Sequence, residues 1–222
     1  MLNLFFPAFC RGCLKELIEG EKDICSICRH NLPLASFHKN GGTEMVDIFY
    51  GRIPVVHATA LFYFKKNNLT QKFVHALKYK KAKNIGVIFG DWLGEELSAC
   101  KEYHDVDAII PVPLHKKKLR QRGYNQVEGF GKKIANALQK PYIDDVLLKI
   151  TPTTSQVFKE RISRIFSNDE VFAVQQASKI ENKHLLLVDD IITTGATLEA
   201  CSKKLLQIKG VKLSFATIAI TK

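Results

Sequence analysis

Apolar and polar positions follow a regular order that predicts strands separated by helices. Apolar runs of strand length lie at 55–64, 106–112, 146–148, 185–188 and 213–220. Apolar residues recur at helical spacing at 85–97, 126–138 and 198–205, and a further helix is expected to begin near Asn68. Strands that alternate with helices favour a mainly parallel sheet covered by helices on its faces. The pattern therefore predicts an α/β fold.

The run 185–188 is followed directly by residues that suit a sugar phosphate. Two acids, Asp189 and Asp190, stand at its end, and a loop of hydroxyl residues and glycine precedes the next helix. Backbone N–H groups at a helix N-terminus bind phosphate, and glycine allows a close approach. Paired carboxylates can accept the hydroxyls of a ribose and help to hold Mg²⁺. The predicted 5′-phosphate ligands are Thr193, Thr194, Gly195, Ala196 and Thr197.

Other phosphate motifs do not fit this segment. No Gly-Lys-Ser/Thr follows the loop, as a P-loop requires, and there is no Gly-x-Gly-x-x-Gly. Ligands of parallel sheets bind at the carboxyl ends of strands, where the two acids are expected. The alternative is an acidic pair at a strand end followed by a threonine helix cap, as many α/β domains carry.

A second strand end leads into a cluster of cations. The run 106–112 continues to His115, and the next seven residues contain five cations and no acid: Lys116, Lys117, Lys118, Arg120 and Arg122. The whole chain has 33 basic and 22 acidic side chains and a net charge of +11, which favours anionic partners. The cluster could complete a pyrophosphate site. The alternative is a basic surface loop.

Four of the six cysteines lie in the first 28 residues, as two Cys-x-x-Cys pairs. Two such pairs favour a structural Zn²⁺ site with Cys10, Cys13, Cys25 and Cys28 as ligands. A redox Cys-x-x-Cys is the alternative, but it does not explain two copies. His30 is expected to be a bystander, and Cys100 and Cys201 are expected to be inert buried thiols in helices.

These observations divide the chain into a cysteine module at 1–40 and an α/β domain at 41–222, with Ser36 to Thr43 as a linker or turn. No apolar run approaches the ~18 residues of a membrane helix. The N-terminal residues lack the basic region and cleavage pattern of a signal peptide. We therefore expect a cytoplasmic protein without membrane insertion.

The segment 185–201 resembles the PRPP-binding signature of type I phosphoribosyltransferases. The order of motifs along the chain resembles the ComF family. Those motifs are the two cysteine pairs, Lys78-Tyr79-Lys80, Pro111-Val112-Pro113-Leu114-His115, Arg122-Gly123-Tyr124-Asn125-Gln126 and the terminal signature. ComF proteins are phosphoribosyltransferase-like, some linked to natural competence and others associated with gluconate metabolism. The resemblance implies a type I phosphoribosyltransferase-like sheet flanked by helices, with a small N-terminal zinc ribbon.

The resemblance also implies ligands and residue roles. PRPP would bind with Mg²⁺, Asp189 and Asp190 would be catalytic, and the pyrophosphate would be bound by His115, Arg120, Arg122 and Lys78. The stretch with Gln156 and Arg161 resembles the family's mobile loop, although the family usually shows an Asn shortly after that arginine and this chain does not. The 6-oxopurine branch of the wider superfamily carries a basic aspartate where this chain has Thr193, which disfavours such a substrate.

Three functions are compatible with these features. The first is Mg²⁺-dependent transfer of phosphoribose to an unidentified nucleophile. The second is a competence factor that binds PRPP or a nucleotide end and handles single-stranded DNA, with competence proteins as further candidate partners. The third is a zinc-ribbon adaptor with a scaffold domain, against which the intact acidic pair argues. Between Lys116 and Arg122 there is no aromatic residue for base stacking.

Overall fold

A computed structural model describes residues 7–39, 41–79, 82–150 and 171–221 of the protein. Its strands are β1 (Ala58–Phe64), β2 (Ala108–Pro111), β3 (Leu147–Ile150), β4 (Val171–Val174), β5 (His184–Ile192) and β6 (Lys212–Thr221). Its helices are α1 (Ser26–His30), α2 (Glu44–Asp47), α3 (Leu69–Tyr79), α4 (Lys83–Ser98), α5 (Lys116–Arg122), α6 (Glu128–Leu138) and α7 (Ala196–Leu205).

A four-stranded parallel sheet organises the described residues. Its strand order is β1-β6-β5-β2, and every pairing in it is parallel. Strands β3 and β4 form a separate antiparallel pair. The α/β fold with a mainly parallel sheet, predicted from the alternation of strands and helices, is confirmed.

Both faces of the sheet are covered, which explains the continuous apolar runs in its strands. Successive side chains of a strand point to opposite faces. Leu186 and Val188 pack with residues of α3, α4 and α6, whereas Leu185 and Leu187 pack with residues of α2, α7 and the β3–β4 pair. The central strand β5 therefore has no solvent face along 184–188.

The segment Ser36 to Thr43, predicted as a linker or turn, contains a turn at residues 37–39 and packs against the sheet. Immediately before this segment, Leu34 forms an antiparallel bridge with Phe62, and the Ala35 N–H donates to Leu61 O at 3.0 Å. Phe37 is buried with its ring edge on Tyr63, at 5.8 Å between centroids. Pairing with the free edge of β1 and burial of an aromatic ring fix this segment against the sheet.

Two element predictions need correction. The strand β5 does not end at Val188 but continues to Ile192, because β6 continues beside it. Residues 116–122 form the helix α5 rather than a loop. The predicted mobile-loop residues Gln156 and Arg161 lie outside the described residues.

No helix among the described residues has both the length and the apolar character needed to cross a bilayer.

A buried histidine joins the 33–43 segment to α4 and predicts a pH dependence of stability. His38 Nε2 lies 3.1 Å from Glu96 Oε2, and its Nδ1 lies 2.8 Å from Thr59 Oγ1. Burial lowers the pKa of His38 below 6.5, although the Glu96 carboxylate opposes this. The unfolded chain therefore takes up a proton at a higher pH than the native state, and stability falls as pH decreases below about 6.5.

Urea unfolding between pH 7.5 and 5.5 tests this expectation. The midpoint should fall on acidification in the wild type, and the fall should be smaller in His38→Gln. The exposed His104 provides the matched control, so His104→Gln should follow the wild-type curve. Parallel curves for wild type and His38→Gln would contradict the assignment.

Candidate functional site

The carboxyl end of β5 extends beyond its neighbour and opens a crevice. Pairing of β2 with β5 ends where Pro111 meets Val188, whereas β6 stays paired with β5 as far as Ile192. Residues 189–192 therefore have a strand on one side only. Such an edge, at the carboxyl ends of parallel strands, is where ligands bind in this class of sheet.

The two predicted catalytic acids lie on this extension and face different parts of the crevice. Asp189 is 8% and Asp190 is 4% exposed. Because neighbouring strand residues point to opposite faces, Asp189 lines the cavity of the following loop, whereas Asp190 meets α3. Lys78 Nζ lies 3.0 Å from Asp190 Oδ2, and the Asp190 N–H donates to Asp189 Oδ1 at 2.8 Å. The acids are thus held by a cation and a backbone donor.

The predicted phosphate loop joins β5 to α7. A cavity of about 50 Å³ is lined by Asp189 and residues 191–198. Thr193, Thr194 and Ala196 are exposed. Gly195 has a φ of 78°, and a Cβ there would lie 2.8 Å from Phe49 Cε1. Both the left-handed backbone and this close contact require glycine.

Arg52, which no sequence pattern indicated, holds the loop without lining its cavity. Arg52 donates to Thr194 O at 3.1 Å and to Ile48 O at 3.0 Å, and it forms an ion pair with Glu199 in the first turn of α7. No sequence signal could have found it, because Arg52 and Thr194 are 142 positions apart and no local motif includes the arginine.

A second, basic cleft lies between the end of α3 and α5. Its volume is about 250 Å³, and it is lined by Lys78, Tyr79, Lys118, Gln121, Arg122 and Tyr124. The Arg122 guanidinium lies 5.2 Å from the ring centre of Tyr79 and donates to Gln126 Oε1 at 2.7 Å. The Tyr124 hydroxyl donates to Leu77 O, which ties the loop after α5 to α3.

The structure brings only two of the four predicted pyrophosphate residues into this cleft. Lys78 and Arg122 line it, whereas Arg120 is exposed and is not among its lining residues. Helix geometry explains this, since Arg120 is turned about 200° from both Lys118 and Arg122. His115 caps α5, with Nδ1 accepting from the Lys117 N–H at 3.2 Å. Lys118, one of the five cations of the predicted cluster, does line the cleft, and so does Gln121, which the sequence did not indicate. In a segment expected to be a loop, the facing of individual side chains cannot be derived.

Lys78 connects the basic cleft with the acidic end of β5. It lines the basic cleft and also pairs with Asp190 at the end of β5. A negatively charged ligand in the cleft would therefore lie near Asp190.

The four N-terminal cysteines form a cluster that could hold a metal such as zinc. Their Sγ atoms all lie within 4.8 Å of one another, and those of Cys13 and Cys25 are 3.7 Å apart. Tetrahedral Zn²⁺ with Zn–S bonds of about 2.3 Å places its sulfurs about 3.8 Å apart. His30 is exposed and is not part of the cluster.

The backbone of the cysteine turns favours a thiolate at Cys10. Burial disfavours the charged form, but N–H groups of Cys13, Cys25 and Gly12 stabilise it and lower the pKa of Cys10 to about 7. The Gly12 and Cys25 N–H groups lie 3.4 and 3.3 Å from Cys10 Sγ. Thiolate is the form that binds metal.

The two remaining cysteines differ from each other. Cys201 is fully buried in α7, as expected. Cys100 lies just after α4, only partly buried, so its predicted position within a helix is wrong. Burial, together with the neighbouring Glu102 carboxylate, raises the pKa of Cys100 to about 11, which keeps the thiol protonated and unreactive.

Comparison with known proteins places the chain in a family. Residues 128–221 match the phosphoribosyl transferase domain. The competence protein ComFC of Streptococcus pneumoniae is 32% identical over 67% of this chain and 62% of its own length. Competence protein F of Haemophilus influenzae is 31% identical over 45% of this chain and 44% of its own. The chain is a phosphoribosyltransferase-like protein of the ComF family.

Further relatives carry a different name. The DNA utilization protein YhgH of Escherichia coli K12 is 23% identical over 60% of this chain and 60% of its own length. The similarity to this ComF protein thus covers less than two thirds of each curated relative named above.

Solved structures of phosphoribosyltransferases are also similar. Adenine phosphoribosyltransferase from Trypanosoma brucei is 16% identical with a TM-score of 0.40, over 72% of this chain and 83% of its own. Glutamine PRPP amidotransferase from B. subtilis is 15% identical with a TM-score of 0.42, over 64% and 30%. The fold assignment rests on the strand order and the domain match.

The cysteine cluster predicts stoichiometric metal in the purified protein. Protein prepared without chelator should contain about one equivalent of Zn²⁺. Cys10→Ser should lower the content below half an equivalent and destabilise the N-terminal residues, because structural Zn²⁺ supplies on the order of 10 kcal/mol to such modules. Elemental analysis and circular dichroism measure both effects.

Cys100→Ser is the matched control, because this thiol lies outside the cluster. It should retain the wild-type metal content. Full metal content in Cys10→Ser would show that the four cysteines do not act as one site.

Proposed function

We propose that this ComF protein binds PRPP with Mg²⁺ and transfers its phosphoribosyl group to an acceptor nucleophile. The observation that carries the proposal is the 3.0 Å ion pair between Lys78 and Asp190. It joins a basic cleft to an acidic strand end that is followed by a loop suited to phosphate. A ligand with phosphate at one end, ribose in the middle and pyrophosphate at the other end matches that order of charges.

Each part of the donor has its own set of residues in this proposal. The 5′-phosphate binds at Thr193 to Thr197, where N–H groups at the start of α7 and two exposed threonines meet it. The ribose hydroxyls bind to Asp189 and Asp190. The pyrophosphate lies in the cleft with Lys78 and Arg122, and Lys118, which also lines the cleft, is a further cation for it.

The carboxylates of Asp189 and Asp190 also fit Mg²⁺, which prefers oxygen ligands and is usually held by one or two carboxylates together with substrate phosphates. Such an ion would supply charge neutralisation for the pyrophosphate. Lys78 and Arg122, which line the cleft, would add to this neutralisation.

Transfer breaks the bond between ribose C1 and pyrophosphate oxygen and forms a bond from C1 to the acceptor. The electron pair of the broken bond leaves with pyrophosphate, whose charge is stabilised by Lys78 and Arg122. Positive charge develops on the ribose ring, where Asp189 and Asp190 stabilise it. Thr193 supplies no base, so the acceptor must be nucleophilic itself or activated by another group.

A second candidate is supported by the basic helix and by the names of the relatives. Lys116, Lys117 and Lys118 are exposed on α5, and Tyr79, 64% exposed, lines the basic cleft together with Lys118. Cations with a nearby aromatic ring suit single-stranded nucleic acid. In this alternative the protein binds PRPP or a nucleotide end without transfer and handles DNA during uptake, with competence proteins as partners.

Binding of PRPP with Mg²⁺ should raise the melting temperature. A ligand at 100 times its dissociation constant stabilises the native state by about 2.7 kcal/mol. Asp189→Asn and Asp190→Asn should each remove most of the shift, since they delete contacts to ribose and metal. Differential scanning fluorimetry measures it. Asp91→Asn, on the exposed side of α4, should keep the wild-type shift, and an undiminished shift in the Asp189/Asp190 double variant would contradict the site.

Pyrophosphate release separates transfer from DNA handling. If the protein is a transferase, Lys78→Gln and Arg122→Gln should each slow release at least about tenfold, because a charge-assisted contact to the leaving group is lost. Arg120→Gln should slow release less, since Arg120 does not line the cleft, and Arg29→Gln on α1, which does not line it either, is the control. The assay couples pyrophosphate release from PRPP to a candidate acceptor mixture.

If the protein instead handles DNA, single-strand binding should fall steeply with salt, and Lys117→Gln should reduce the salt slope by about one. PRPP should then compete with a 5′-phosphorylated strand better than with an unphosphorylated one. Acceptor-dependent pyrophosphate release without salt-sensitive DNA binding would decide for the transferase.

A further inference from the structure

One guanidinium connects three backbone and side-chain groups around the phosphate loop. Arg52 lies after α2, and one of its terminal nitrogens donates both to Ile48 O at 3.0 Å and to Thr194 O at 3.1 Å. The other forms the ion pair with Glu199. The arginine therefore holds its own turn, the carbonyl of the loop and the first turn of α7 at once.

The bond to Thr194 O determines how the loop presents its donors. In a trans peptide the C=O and the following N–H point in opposite directions. With the Thr194 carbonyl directed at Arg52, the Gly195 N–H points away from Arg52. Residues 191–198 line the cavity of the loop, and Arg52 is not among its lining residues. The fixed carbonyl thus leaves this N–H available to an anion.

The same segment supports the loop by contact. A Cβ on Gly195 would lie 2.8 and 2.9 Å from two ring atoms of Phe49 and 3.3 Å from Ile48 Cγ2. Phe49 is fully buried and packs edge-on against Phe215 of β6, at 4.9 Å between ring centroids. The segment that carries Arg52 is therefore anchored in the sheet core and can act as a rigid support.

We propose that Arg52 is the positioning residue of the phosphate loop, which orients the Thr194–Gly195 peptide towards the 5′-phosphate of a phosphoribosyl ligand. The proposal rests on the proposed function of the loop. Arg52 does not touch the ligand and acts through the Thr194 carbonyl and Glu199. The planar fork of a guanidinium suits this task, since it serves several acceptors in fixed directions, whereas an ammonium does not.

The experiment compares two ligands that use opposite ends of the site. Calorimetric titration of the full chain measures affinity for ribose 5-phosphate and, separately, for pyrophosphate with Mg²⁺. Arg52→Ala should weaken ribose 5-phosphate about 10- to 100-fold, because small displacements of binding groups have effects of this size. Pyrophosphate affinity should change less than about twofold, because the basic cleft does not include Arg52.

Two further measurements distinguish positioning from a general loss of structure. Millimolar methylguanidinium should restore ribose 5-phosphate binding in Arg52→Ala, since the arginine side chain is 34% exposed and its place is reachable. Arg29→Ala removes a guanidinium that stacks on Trp92 and lines neither the basic cleft nor the cavity of the loop, so it should leave both affinities at the wild-type values.

Unchanged ribose 5-phosphate affinity in Arg52→Ala, or an equal loss for both ligands, overturns the proposal. If Arg52→Ala does not fold, Arg52→Lys replaces it, because lysine keeps the charge beside Glu199. The same two titrations are then compared. An intermediate loss of affinity for ribose 5-phosphate alone supports the proposal. A wild-type protein that binds neither ligand overturns the proposed function itself.

Discussion

The burial of β5 between two strands and two helical layers is the constraint on which the candidate site depends. Leu185 to Val188 are fully buried, and each such side chain contributes about 1.5–3 kcal/mol through removal from water. This burial fixes the strand without any help from its polar end. The two aspartates that follow are thereby held at the open edge of the sheet, although burial of carboxylates is itself unfavourable.

The unfavourable burial of the Asp189 and Asp190 carboxylates is offset by a cation and a hydrogen-bond donor beside them. A buried charge is tolerated when a partner charge or donor lies close to it. Lys78 from α3 and the Asp190 N–H supply these partners. The same lysine makes the neighbouring cleft basic, so the interaction that stabilises the acid also prepares a surface for an anion. An anionic ligand in the cleft and Asp190 would then compete for Lys78. A divalent ion bound to the acids would reduce this competition.

The cysteine cluster and the basic cleft share one helix. Cys10, Cys25 and Cys28 belong to the same hydrophobic core as Phe73 of α3, and a Cβ on Gly12 would lie 2.7 Å from the Phe73 ring. Lys72 of the same helix donates to Gly12 O at 3.1 Å. Since α3 ends at Lys78 and Tyr79, a metal that orders the cysteine turns also supports the helix that carries one wall of the cleft. The cysteine segment therefore packs against the helix that ends at the candidate site.

The sequence by itself determined the parts that local chemistry specifies: the parallel α/β fold from its apolar runs, the cysteine cluster from its spacing, and the strand–loop–helix segment around Asp189 and Gly195. It could not determine α5, whose Leu119 alone gives no apolar period and whose ends are fixed by the His115 cap and the left-handed Gly123. Only the tertiary structure decided that Lys78 meets Asp190, that Arg120 lies outside the cleft and that Arg52 holds Thr194. Such contacts join residues far apart in the chain, and they depend on how helices pack on the sheet, which no local pattern encodes.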